Sequence, residues 1–173
     1  MAAHSSTLRT IVGFVRAFLG RRLPFLREGE RIEDIYNYLQ IENLFPTSGQ
    51  PSEAQFRLIK NAGYETVINL APTSVLENSV INEDQVLADL GVRYIQIPVD
   101  FKNPTEDDFR AFVDALYKSA PEKVWVHCAA NMRVSAFTYR YRREVLEEND
   151  TRTKSDLNKI WEPFGVWTEF INR

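Results

Sequence analysis

The stretch "VWVHCAANMRVSAF", residues 124–137, holds the only cysteine of the chain, Cys128, with His127 before it and Arg133 five positions after. A cysteine does chemistry as its thiolate, and a nearby guanidinium favours the ionised sulfur. The same guanidinium offers paired N–H donors to a tetrahedral oxyanion. Between them lie Ala129, Ala130, Asn131 and Met132. A loop of mostly small residues that leads into a helix presents unpaired backbone N–H groups, and the positive end of the helix dipole, to phosphate or sulfate. A lone cysteine in an apolar run is otherwise a small core residue. Strand, small-residue loop, helix and arginine together point instead to a nucleophile facing an anion.

For this to work, Cys128 must stand at the C-terminal end of a strand and Arg133 near the start of a helix. The surrounding pattern supplies both. "KVWVH" (123–127) reads as a strand, and a long helix, polar at its end, follows from about Val134 to Glu147. Upstream, "YLQI" and "NLFPTSG" read as two short strands. Ser52 caps a helix that runs to Ala62 and stops at Gly63. "TVINL" (66–70) is a buried strand, polar only at Asn69, and 82–90 is a helix ending at Gly91. "RYIQIPV" (93–99) is the next strand. Thr105 and Asp108 form a capping-box-like pair for a helix over 105–119. The tail places Leu157, Ile160, Trp161, Phe164, Trp167, Phe170 and Ile171 on helices packed against the body. Strands alternating with helices predict an α/β fold: a single domain with a central, mostly parallel sheet flanked by helices. Ligands of such sheets bind at the carboxyl ends of strands, where residues 127–134 fall.

Composition narrows the functions available. One cysteine excludes an internal disulfide and suits a reducing compartment. With only His4 and His127, no Cys/His metal cluster can be assembled, so no metal site is expected. Residues 1–27 carry five arginines and no acidic residue, and the remainder holds 16 basic and 24 acidic residues. No basic stripe over the body suggests nucleic acid, and no stretch reaches the ~18–20 apolar residues of a membrane span. The segment "LRTIVGFVRAFLGRRL" (8–23) forms an amphipathic helix, with Leu8, Ile11, Val12, Val15, Phe18 and Leu19 on one face. Three readings stay open for it: packing on its own domain or a partner, lying on a membrane surface, or serving as an Arg-rich transit peptide. The expected organisation is a helix and linker over 1–30, with "LPFLREGE" as the linker, followed by one domain over 31–173.

The loop "HCAANMRVS" resembles the signature H-C-x-x-G-x-x-R-[ST] of the cysteine-dependent protein tyrosine phosphatases, in particular the atypical dual-specificity type of bacteria. His127, Cys128 and Ser135 match. Asn131 stands where glycine is expected, Val134 stands where arginine is expected, and the arginine comes one place early at 133. "SGQPSEAQFRLIKNAGYETVINL" and "YIQIPVDFKNPTEDDFRAFVDAL" also resemble this family, over residues 35–147 in all. The resemblance implies a phosphatase domain that hydrolyses a phosphomonoester without metal or cofactor. Cys128 would attack phosphorus and Arg133 would bind phosphate within a loop of Ala129, Ala130, Asn131, Met132 and Val134. His127 would keep the thiol acidic, Asp100 would protonate the leaving oxygen, and Ser135 would assist release of the phosphocysteine. Gln50 and Pro51 match the family's turn and are read as packing.

Because Ser135 keeps its distance from Cys128, we read the loop as full length, which turns Arg133 about 100° away from the usual position. Weak activity is the expectation. Two alternatives stand beside it: a non-catalytic phosphate-binding module, and, from the C-x4-R spacing, resemblance to the persulfide-carrying loop of rhodanese-type sulfurtransferases. The expected partner is a phosphorylated protein or small phosphomonoester, with membrane-surface or partner contact through residues 8–23. The expected location is cytoplasmic, with membrane-peripheral or mitochondrial placement as alternatives. Loops near 72–82 and 100–104 would set the depth of the pocket.

Overall fold

The computed structural model describes residues 2–20, 31–73, 80 and 82–173, and within the first helix the side chains of 6–15. The linker 23–30, most of the 72–82 loop, and the side chains of Arg16, Phe18, Leu19, Arg21 and Arg22 lie outside the described residues. The chain opens with α1 (Ala2–Gly20) and a 3-10 turn (Ile32–Asp34), and then alternates. In order follow β1 (Leu39–Gln40), β2 (Pro46–Ser48), α2 (Glu53–Asn61), β3 (Thr66–Asn69), α3 (Glu83–Asp89), β4 (Arg93–Gln96), α4 (Glu106–Ser119), β5 (Val124–His127), α5 (Met132–Glu144), α6 (Asp150–Ile160) and α7 (Val166–Ile171).

The predicted caps form. The Ser52 side chain accepts from the Gln55 amide while Gln55 reaches back, and Thr105 and Asp108 do the same at α4. The strands make one sheet in the order β1-β2-β5-β3-β4, parallel except for the β1–β2 pair. The predicted α/β architecture, with a mostly parallel sheet between helices, is the one found.

Alternation along each strand divides the core in two. Val67 and Trp125 face α2 and α3, packing with Phe56, Ile59 and Leu87. Ile68 and Val126 face the other way, onto Phe112, Phe137 and the tail residues Leu157, Ile160, Trp161, Trp167, Phe170 and Ile171. Phe164 departs from the expectation: it is 55% exposed. The end of α5 also differs from its polar reading. Arg140 and Arg142 are each about 2% exposed or less. Arg140 bonds Glu106 and Glu144 and lies between the rings of Phe109 and Phe170, at 4.0 and 4.7 Å. Arg142 bonds Glu148 and Asp156. Buried guanidinium groups are tolerable only when each is fully paired, and these pairings tie α5 to α4 and α6.

Helix α1 packs on its own body, but through its polar side. Thr10 Oγ1 donates to the Ile160 carbonyl, and the Tyr36 hydroxyl donates to the Thr10 carbonyl. The Glu162 amide donates to Thr7 Oγ1 at 2.9 Å, and Arg9 donates to the Lys159 carbonyl at 2.6 Å. On the described part of its apolar face, Leu8, Ile11, Val12 and Val15 are exposed.

Candidate active site

Strand β5 lies at the centre of the sheet, between β2 and β3, so the loop after His127 starts from a fixed point. Three hydrogen bonds hold it there. The Cys128 amide donates to the Ser48 carbonyl at 3.3 Å, and the Gln50 amide donates to the Ala129 carbonyl at 3.2 Å. Asn37 Nδ2 donates to the Ala130 carbonyl at 3.0 Å. Asn131 then gives the turn into α5 a left-handed residue, with φ 64° and ψ 2°. Asparagine enters this region more readily than other side chains, and here its amide also works: Nδ2 donates to the Asn37 carbonyl at 2.8 Å and to Thr47 Oγ1 at 2.9 Å. The substitution of the expected glycine thus adds anchoring to the turn.

Gly49 runs beside this loop. A Cβ placed there would lie 2.6 Å from the Tyr36 ring and 3.0 Å from the Ala129 carbonyl oxygen. Gly49→Ala is therefore expected to push the loop off its anchors and cost about 1–3 kcal/mol, in line with other overpacked sites. A urea midpoint unchanged from wild type would contradict this.

A cavity of about 330 Å³ opens over the loop, lined by Cys128, Ala129, Ala130, Met132 and Arg133 from below and by Thr10, Ile11, Phe14 and Phe101. Cys128 is fully buried at this wall. Among the described residues, no acceptor takes the backbone N–H groups of Ala129, Ala130 and Met132. Arg133 lines the same cavity, 4% exposed, its guanidinium 5.2 Å from the centre of the Phe101 ring. Val134 is fully buried in the apolar core. Despite its early place in the sequence, the Arg133 side chain is thus directed to the cavity. With Asn131 starting the helix early, it is position 133 that faces the cavity and 134 that faces the core.

Ser135 points elsewhere in this structure. Its hydroxyl donates to the Met132 carbonyl at 3.0 Å and accepts from Trp161 Nε1 at 3.1 Å, and it does not line the cavity. It sits two places past the arginine, on the side of α5 that meets Trp161. Asp100 likewise does not line the cavity. It is exposed, and its Oδ1 accepts the Lys102 amide at 2.9 Å. Its neighbour Phe101 is the residue of that loop that enters. Phe101 packs on Trp161 and Trp167 at 5.9 and 5.2 Å, and its carbonyl accepts from Trp167 Nε1 at 2.9 Å. The tail tryptophans thus fix the wall on which the Arg133 guanidinium rests.

His127 points into a buried polar cluster behind the loop. Its Nε2 lies 2.8 Å from Glu83 Oε1, both side chains being nearly inaccessible. Glu83 also accepts from Gln50 Nε2 at 2.8 Å and from Asn69 Nδ2 at 3.2 Å. Asn69 Nδ2 lies 3.1 Å from the Tyr94 hydroxyl. Burial, reinforced by the adjacent Glu83 carboxylate, pushes the Tyr94 hydroxyl far above its ordinary pKa and keeps it protonated. His127 is thus held by Glu83 behind the loop. Gln50, read as packing, belongs to this cluster. Asn69 was the one polar residue in an apolar strand, a signal that a buried partner existed; Glu83 carried no signal in the sequence.

Comparison with known proteins agrees with this geometry. A family model described as "DSP-PTPase phosphatase fused to NAD+ Kinase" matches residues 26–163. The DUF442 phosphatase-type protein of Shewanella putrefaciens CN-32 is 32% identical, with a TM-score of 0.68 over 82% of this chain and 92% of that one. Two more distant structures share the fold. One is the core catalytic domain of the PP-IP phosphatase SIW14 of S. cerevisiae, 13% identical, with a TM-score of 0.66 over 80% and 85% of the two chains. The other is TpbA of P. aeruginosa in complex with pTyr, 15% identical, with a TM-score of 0.58 over 70% and 71%. Among curated proteins, none matches.

Proposed function

The chain belongs to the DSP-PTPase phosphatase family, and from that premise we propose that it hydrolyses a phosphomonoester through a phosphocysteine formed on Cys128. The observation that carries this reading is the presence of Cys128 and Arg133 in the wall of one cavity, beside loop amides that find no acceptor among the described residues. A phosphate seated there meets the amides and the guanidinium with its three non-bridging oxygens. The Cys128 thiolate attacks phosphorus as the bond to the leaving oxygen breaks, and the leaving oxygen takes a proton from Asp100. Water, losing its proton to the Asp100 carboxylate, then attacks the phosphocysteine. Inorganic phosphate leaves and the thiolate is restored. Asp100, on the residue before the cavity-lining Phe101, reaches the leaving group by giving up its bond to the Lys102 amide.

The outward position of Asp100 also favours a second reading, in which the site holds a phosphate group without turning it over. The rhodanese-type alternative loses its support to the family membership. One experiment separates the two that remain: hydrolysis of an aryl phosphate by wild type, with and without vanadate, and by Asp100→Asn. Catalysis predicts vanadate-sensitive turnover that falls about 10²–10⁴-fold in Asp100→Asn, as for loss of a general acid, with phosphate affinity kept. Phosphate binding without turnover in wild type would mark the non-catalytic module.

Members of the family act on phosphorylated substrates; for this chain we favour a small phosphomonoester or phosphorylated side chain over nucleic acid, which the acidic body would repel. Its organisation is read as the helix and linker of 1–30 followed by a domain over 31–173. No helix among the described residues is long and apolar enough to cross a membrane. A cytoplasmic setting, with α1 touching a membrane surface, fits the reduced cysteine and the arginine-rich start.

A further inference from the structure

We infer that the substrate is the phosphate headgroup of a membrane lipid, hydrolysed while α1 lies in the surface of an anionic bilayer. This rests on the phosphatase reading above and adds the class of leaving group. Two features of α1, independent of the catalytic loop, lead to it.

The first is its orientation. The helix is fastened to the body by Thr7, Arg9 and Thr10, which leaves Leu8, Ile11, Val12 and Val15 outward at 63, 47, 58 and 50% exposure. Four large apolar residues spaced i, i+3, i+4 and i+7 make a continuous stripe, and a stripe held outward by its polar side awaits a cover. The charge of this segment of the sequence selects the cover. Five arginines and no acidic residue occur in residues 1–27, and Arg9 is exposed beside the stripe. An apolar face in a segment of net positive charge is the composition of a helix that binds anionic lipid in the plane of the interface. A cytosolic protein partner would be matched by the apolar face but gives no reason for the excess of arginine.

The second is continuity with the cavity. Ile11 belongs both to the exposed stripe and to the cavity wall. Phe14, Phe101 and Met132 extend that wall in apolar surface down to Cys128 and Arg133. The path from membrane to sulfur is therefore apolar until the anion-binding loop. A lipid phosphate fits both ends, with its headgroup against the loop amides and Arg133, and the first carbons of its alcohol against Ile11, Phe14 and Phe101. The chains stay in the bilayer that the stripe contacts. A soluble phosphomonoester would use the cavity and leave the stripe without a role.

The test compares the full chain with its Leu8→Glu/Val12→Glu/Val15→Glu variant, whose three positions are exposed and outside the cavity wall. Flotation is measured with vesicles of phosphatidylcholine, with and without phosphatidylglycerol. Phosphate release is measured from phosphatidate in the same vesicles, from an aryl phosphate, and from a phosphotyrosine peptide. Wild type should float with the anionic vesicles and hydrolyse vesicle phosphatidate. The variant should lose both by about 10-fold or more, as expected for charges placed on a face that enters lipid, while its rate on the aryl phosphate stays the same. Turnover of the aryl phosphate with none of phosphatidate overturns the inference and leaves the phosphatase reading standing. So does a phosphopeptide hydrolysed faster than the lipid by both proteins, or a variant that matches wild type on vesicles. Absence of turnover on every substrate overturns both readings, and flotation then reports on the helix alone.

Discussion

Cys128→Ser is expected to abolish phosphomonoester hydrolysis while leaving the fold and phosphate binding intact. The side chain is fully buried, at the end of the central strand, and the replacement removes no packing volume of consequence. What it removes is the sulfur nucleophile; a serine hydroxyl is far weaker unless a base takes its proton. Among the described residues no such base is bonded to position 128, since His127 is engaged with Glu83 on the other side of the strand end. A loss of roughly four orders of magnitude or more in turnover is the scale seen when a covalent nucleophile is deleted. Isothermal titration with phosphate should give nearly the same affinity in both proteins, because the loop amides and Arg133 remain. Residual turnover within about tenfold of wild type would mean that the reaction does not pass through a phosphocysteine.

Arg133→Ala is expected to lower kcat about 10²–10³-fold, the effect of losing one preorganised donor to the charge that develops in the transition state. Arg133→Lys should recover part of the loss, since it keeps charge but not the paired N–H geometry. The complementary change, Val134→Arg, separates the two possible registers of the loop. Were Arg133 displaced from the site, an arginine at 134 would restore the usual spacing and raise the rate. The structure has Val134 buried against the core and Arg133 at the cavity, so the opposite is expected. Val134→Arg should destabilise the protein by several kcal/mol, the cost of burying an unpaired charge, and should give no gain in rate. Thermal unfolding together with aryl phosphate kinetics reads both effects. A faster, equally stable Val134→Arg would return Arg133 to the displaced position that the loop spacing suggested.

Much of this molecule was legible before its structure. Periodicities, caps at Ser52 and Thr105, and glycine stops placed the alternating elements, because these signals act within a few residues of where they are written. The same holds for the position of Cys128 at a strand end and of its loop before a helix. The register of that loop was not legible. Counting from Cys128 to Ser135 assumed that every residue between advances the helix equally, whereas the left-handed Asn131, bonded to Asn37 and Thr47 from distant sequence, starts α5 early and presents residue 133 to the cavity. Ser135 then meets Trp161, a contact made across 26 positions. The buried cluster of Glu83, Gln50, Asn69 and His127 was hidden for the same reason: its members lie on four different segments. Helix α1 shows the division most clearly. Its amphipathic pattern was written in the sequence, but which face would turn inward depended on two threonines finding acceptors and donors at the end of α6, and only the tertiary fold brings those together.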